Sequence, residues 1–251
     1  MAFARGPKIS TNGIVFSIDP ASHKSYPGTG TKVYELTKYG KNLSNSETYN
    51  SASLGGGTTF LSNSGSGAFG FDGTNDTLTF ANPGAGQYDP FDFGTGPMTM
   101  EAWVKFEQTH SVNTLSVIVT RGNPLCDNCQ GGYNLMFNDE DTVSVRFDAT
   151  GAGGIDSVSF TSSSYDFRDG NFHHVVGLRD GVNVKLYFDG AEVATNNNDN
   201  QRDVSVADGF HISGWSSYRG QMEVGPVRLY NRAISSEEVA DNYAASIKRY
   251  R

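Results

Sequence analysis

At 251 residues and a formal net charge of −8, the chain is long enough to bury a large core and too acidic to neutralise nucleic-acid phosphates. The 30 glycines, with only 18% charged residues and short apolar runs, exclude a mainly helical protein and point to many strands joined by tight turns. No apolar run approaches the ~20 residues that cross a bilayer, which excludes insertion as a helix.

Residues 1–12 read as an arm and 13–251 as a single domain. The arm lacks the apolar core of a signal peptide, so synthesis in a cytoplasm is expected, with release only by another route. Gly13 to Pro20 is a strand stopped by Asp19-Pro20, and Ser25-Tyr26-Pro27-Gly28-Thr29-Gly30 is a turn cluster. From Asn42 to Gly67 the composition predicts a long hydrated loop with a small β-like island at Thr58-Thr59-Phe60. Ala68 to Gly73 and Asp76 to Phe80 read as two short strands paired about an Asp-Gly turn.

Met98 to Phe106 alternates, with Met98, Met100, Ala102, Val104 and Phe106 on one face and Thr99, Glu101, Trp103 and Lys105 on the other. Leu115 to Thr120 is the next strand, and Arg121 to Gly132 is irregular. Tyr133 to Phe137 and Thr142 to Phe147 flank an acidic turn, Asn138-Asp139-Glu140-Asp141. Phe172 to Leu178, Val182 to Phe188 and Ala191 to Ala194 form a meander punctuated by Asp180-Gly181 and Asp189-Gly190, with Val182, Val184, Leu186 and Phe188 on one face.

The C-terminal stretch is a strand at Val227 to Tyr230 and then a helix over about 236–248. Ser235 and Glu238 have capping-box spacing, and Ile234 and Val239 form a hydrophobic staple. The pattern predicts an all-β antiparallel two-sheet jelly-roll β-sandwich with a short C-terminal helix.

Gly13 to Thr31, Phe71-Asp72-Gly73-Thr74-Asn75-Asp76, Asn171-Phe172-His173-His174-Val175-Val176 and Gly225 to Tyr243 together resemble the laminin-G-like branch of the concanavalin A-like jelly rolls. The resemblance runs from about Gly13 to Ala245, and its nearest look is to proteins of tailed phages, marine ones especially. It implies a non-enzymatic virion surface component (a fibre, appendage or capsid decoration). Such a component would be a homo-oligomer among other virion proteins and would touch host-surface glycans. The alternative is a calcium-assisted carbohydrate-binding lectin module without a virion, and a glycoside hydrolase is a further one. The fold alone does not choose among these.

The hydrolases of this superfamily carry carboxylates at alternate strand positions, and no Glu-x-Asp-x-x-Glu array occurs here. The nearest cluster, Asp139-Glu140-Asp141, falls in a turn, so no enzyme is expected. His173 and His174 are adjacent and point to opposite faces of a strand, so they cannot jointly ligate one metal, and the burial pattern and the family resemblance imply structural roles for both. Cys126 and Cys129 have no second pair to complete a zinc site, leaving two thiols or a small-loop disulfide. Calcium wants hard oxygen ligands. Pentraxin-like relatives place an Asp-Asn pair in the loop before the strand matching Tyr133 to Phe137, which marks Asp127 and Asn128 as candidate metal ligands.

Members of the broader family often carry an acidic pair where this chain has Gly225-Pro226, so carboxylates are missing from that position. Asp19, Asp72 and Asp76 read as turn residues that bond nearby amides. Trp215, Tyr218 and Arg219, in the loop before the last strand, combine an aromatic platform with polar groups and are the candidate glycan contacts, with Asn128 facing them across the rim.

Overall fold

The computed structural model describes residues 6–37, 51–84, 86–106, 115–123, 131–138, 142–149, 154–161, 167–215 and 218–251. Its strands form two antiparallel eight-stranded sheets. The first contains β1 (Ile14–Ile18), β4 (Thr59–Leu61), β5 (Ala68–Asp72), β7 (Met98–Phe106), β12 (Phe172–Arg179), β13 (Val184–Phe188), β14 (Ala191–Asn196) and β16 (Gln221–Tyr230). The second contains β2 (Lys32–Tyr34), β3 (Ser51–Gly55), β6 (Thr77–Phe80), β8 (Ser116–Asn123), β9 (Gly131–Asn138), β10 (Thr142–Asp148), β11 (Ile155–Thr161) and β15 (Phe210–Ile212). The first sheet runs β14-β13-β12-β7-β16-β5-β4, with β1 on the far half of β16, and the second runs β11-β10-β9-β8-β15-β6-β3-β2.

Alternate residues of facing strands meet between the layers, as the period of two requires. Met100, Ala102, Val104 and Phe106 of β7 share one core with Leu135, Phe137, Val145 and Phe147 of the second sheet. Phe106 stacks on Phe137 across the gap with ring centres 4.7 Å apart, and Phe16 sits edge-on to Phe80 at 4.9 Å. The two-sheet sandwich and the β12–β13–β14 meander are as the sequence predicts.

Several local expectations fail for identifiable reasons. Ala68 to Gly73 and Asp76 to Phe80 are not a hairpin. β5 pairs with β16 and β4 in the first sheet, whereas β6 pairs with β15 and β3 in the second. The Asp-Gly signal marks a corner between sheets, closed when the Asp72 amide donates to Asp76 Oδ2 at 2.8 Å. The stretch read as hydrated loop contains β3 as well as β4, because Ser51 to Gly55 finds partners in β2 and β6. Val182 lies in the turn before β13 and is 65% exposed, so it leaves the face shared by Val184 and Leu186. The last strand starts at Gln221, six residues earlier than its apolar run.

The second face of β7 is covered too, and Thr99, Glu101 and Trp103 are fully buried. The cover is α1 (Ser236–Ser246) with a 3₁₀ turn at Ile247–Arg249 and Tyr250. Tyr243 and Tyr250 stack against Trp103 at 5.7 and 4.7 Å. The helix starts as its sequence dictates. Ser235 accepts from the Glu238 amide while the Glu238 carboxylate accepts from the Ser235 amide, and Ile234 and Val239 are both buried in one cluster. It therefore seals the outer face of the first sheet, not the gap between layers. The chain's own helix also holds Ser10: its amide donates to Asn242 Oδ1 at 2.7 Å and its hydroxyl to Glu238 Oε1 at 2.7 Å.

Candidate functional site

Two connections cross between the sheets side by side at one end of the sandwich. One is the Asp72–Asp76 corner and the other runs from β15 to β16. Leu78 pairs with Ile212 in one sheet, and Asp72 pairs with Gln221 in the other. At Gly56, with φ +74°, a β-carbon would lie 2.3 Å from the Asn75 carbonyl oxygen, so only glycine lets the β3–β4 turn press against this corner.

Trp215 sits in the second connection, partly exposed. Its indole folds back along β15, and Nε1 donates to Asp208 Oδ2 at 3.2 Å. Phe210 and Ile212 of β15 enter the core, so His211 between them points outward. His211 Nδ1 lies 3.0 Å from Thr79 Oγ1, and Nε2 lies 3.6 Å from Asp208 Oδ1. Burial lowers the His211 pKa against the pull of Asp208, which favours the neutral ring. The result is a shelf of one indole edged by a carboxylate, an imidazole and a hydroxyl on the outer face of the second sheet.

The other candidates distribute as follows. The Tyr218 amide donates to the Trp215 carbonyl at 3.0 Å, closing the tight turn that carries the indole, and the Tyr218 carbonyl accepts from Val117 at 3.4 Å. Arg219 lies over Gly214. Trp215 and Tyr218 are thus brought together through backbone pairing. Asp127, Asn128, Cys126, Cys129 and Asp139 to Asp141 fall outside the described residues.

Among the described residues, no group of three or more His, Cys, Asp or Glu side chains could hold a metal ion. Tyr250 packs close over Gly225: a β-carbon there would lie 3.0 Å from the Tyr250 hydroxyl, so a larger residue would require the ring to give way.

Asp208, His211 and Thr79 are partners the sequence reading missed. The available signal was the alternation Phe210-His211-Ile212, which puts a polar group on the outer face of an otherwise apolar strand.

A second feature is a cleft of about 250 Å³ lined by Thr59, Leu61, Asp72, Asp76, Gln221 and Glu223, among others. Asp76 is 3% exposed. Burial pushes its carboxyl up, the Asp72 amide opposes this, and the Asp72 charge adds to the rise.

The two strand histidines are structural. His173 Nδ1 meets Asp189 Oδ2 at 3.1 Å, and Nε2 meets Asp169 Oδ1 at 3.2 Å. His174 points the other way, into a buried polar cluster under α1. There Glu101 Oε1 accepts from Arg228 Nη1 at 2.5 Å and lies 3.1 Å from His174 Nε2. Glu101 Oε2 accepts from the Tyr230 hydroxyl at 3.1 Å and from Asn242 at 2.8 Å. Desolvation would raise the Glu101 pKa, but the Arg228 charge and these bonds hold it down at about 2. Asp19 and Asp72 cap amides two residues on, those of Ala21 and Thr74.

No curated protein matches the sequence. Among solved structures, the fold is similar to the binding domain of Paraclostridial Mosquitocidal Protein 1, with a TM-score of 0.69 and 13% identity over 93% of this chain and 52% of that one. It is also similar to the binding domain of Botulinum Neurotoxin serotype G, with a TM-score of 0.64 and 13% identity over 92% of this chain and 50% of that one. A third similar structure is the binding domain of Botulinum Neurotoxin DC in complex with SialylT, with a TM-score of 0.64 and 9% identity over 93% of this chain and 51% of that one. The chain thus spans about half the length of each toxin domain, and at these identities the likeness shows the fold alone. A family model matches residues 72–240, which are more than half of the chain and contain both sheet crossings and the Trp215 shelf. The protein belongs to the laminin-G-like family of the concanavalin A-like lectin/glucanase superfamily.

Proposed function

We propose that this chain is a non-catalytic, lectin-type carbohydrate-binding module whose ligand stacks on Trp215. The observation that carries the reading is the indole itself. It is partly exposed and fixed by its bond to Asp208, with His211 and Thr79 within reach of sugar hydroxyls. An aromatic face with a few placed polar groups is the usual make-up of a small-molecule site. The family contains lectins as well as glucanases, and the similar solved structures are binding domains, one of them in complex with SialylT. Assistance by calcium at Asp127 and Asn128 belongs to the same proposal.

A glycan array with and without chelator tests it. Binding that Trp215→Ala abolishes supports the proposal, and chelator-sensitive binding supports the calcium component. Sugar release from a polysaccharide panel would contradict the non-catalytic reading. The setting we propose is a virion surface, with the module repeated in several copies, and its support is the phage-like look of Gly13 to Thr31 and Gly225 to Tyr243. Mass spectrometry of purified particles tests that setting.

A further inference from the structure

Among the carboxylates that line the cleft beside β4, β5 and β16, one buried oxygen is left without a donor. Glu223 on its wall is already matched, because Lys105 Nζ lies 2.8 Å from Oε1 and the Ser64 hydroxyl bonds Oε2. Asp72 Oδ1 accepts the Thr74 amide at 2.7 Å, and its side chain stays exposed at the mouth. Asp76 differs: Oδ2 accepts the Asp72 amide, whereas the buried Oδ1 has no partner. Gly57, another lining residue, faces that oxygen without a side chain, and a β-carbon there would stand 3.1 Å from it. A buried acceptor left without a donor costs about 1–3 kcal/mol, and more when it is charged.

We infer that this cleft binds the ammonium group of a small amine, either an amino sugar or an alkyl diamine, with Asp76 Oδ1 and the Asp72 carboxylate as its acceptors. An ammonium brings three donors, no acceptor and a positive charge, which suits an orphan carboxylate oxygen beside a second carboxylate. A neutral hexose would supply hydroxyls but leave the carboxylate charge uncompensated. A calcium ion takes six to eight oxygens, and no group of three or more acidic or histidine side chains among the described residues is placed to hold a metal. Leu61 gives the carbon skeleton an apolar wall. The cleft lies against the first sheet, whereas the Trp215 shelf lies on the outer face of the second, so the two sites are distinct.

Isothermal titration of the full chain with glucosamine, N-acetylglucosamine, cadaverine and calcium chloride tests this. Glucosamine or cadaverine should bind, and whichever binds distinguishes the sugar from the alkyl source. N-acetylglucosamine, which lacks the charge, should bind at least about tenfold more weakly than glucosamine. Asp76→Asn keeps an oxygen for the Asp72 amide and should weaken amine binding about tenfold. Gln221→Lys, at an exposed position, places a competing ammonium at the mouth and should do the same while the melting temperature stays unchanged. Trp215→Ala should leave amine binding intact, so failure here is separable from failure of the glycan reading. Absence of amine binding, equal affinity for the acetylated sugar, calcium binding tighter than either amine, or indifference to both cleft variants would overturn it.

Discussion

Trp215 donates its indole N–H to Asp208 Oδ2 across 3.2 Å, and Asp208 stands seven residues earlier, before β15. That bond fixes which face of the ring is presented. Asp208→Ala should release the indole and weaken binding of any array-identified glycan by about fivefold to tenfold, the worth of one modest hydrogen bond. Asp208 is partly exposed, so the melting temperature should hold. Calorimetric titration beside a thermal melt checks both outcomes.

The Glu101 cluster should dominate the stability of the helix-covered face. Glu101→Ala leaves Arg228 buried without its carboxylate, a change worth about 3–5 kcal/mol of destabilisation. Because the folded pKa of Glu101 is depressed to about 2, its contribution is complete above the unfolded value of 4.5 and is lost as pH falls toward 2. Urea unfolding of wild type from pH 6 down to pH 2 should show a fall in stability that the variant shows less of.

His173 gives the opposite sign. Burial lowers its pKa, but the Asp189 and Asp169 carboxylates more than offset this and hold it above 6.5. Its contribution is therefore full below pH 6.5 and lost as pH rises through the folded pKa. Wild type should lose stability as pH rises above 6.5, and His173→Gln should flatten that slope in the same denaturation series.

Ser235→Ala removes the hydroxyl that accepts from the Glu238 amide, a cap worth about 1 kcal/mol. The Glu238 carboxylate remains anchored by Arg232 at 2.5 and 2.7 Å, so the helix should persist with a lower melting temperature. Circular dichroism at 222 nm during a melt separates this from loss of the helix.

The layers, the meander and the helix start were legible because each follows from local chemistry: alternation in β7, Asp-Gly turns around β13, and Ser235 three residues before Glu238. Misreadings arose where a partner distant in sequence decides the outcome. The Asp72-Gly73 pair has the composition of a hairpin turn, but β16 and β15 claim β5 and β6 for different sheets. Glu101 and Trp103 alternate like solvent-facing residues and are buried because α1 and Tyr250, more than 130 residues away in sequence, lie on them. Trp215 was identifiable as a platform from its loop, whereas its bond to Asp208 and the orphan oxygen of Asp76 depend on strand register and on a glycine across the corner, which no local pattern encodes.

The chain has two tryptophans, Trp103 sealed under Tyr243 and Tyr250 and Trp215 on the shelf. Two indole N–H resonances in a nitrogen-15 correlation spectrum therefore report the central claim directly. During titration with a glycan selected by array, the Trp215 resonance should shift and saturate while that of Trp103 stays in place. A saturable glycan that moves neither resonance, or moves only Trp103, would contradict the account.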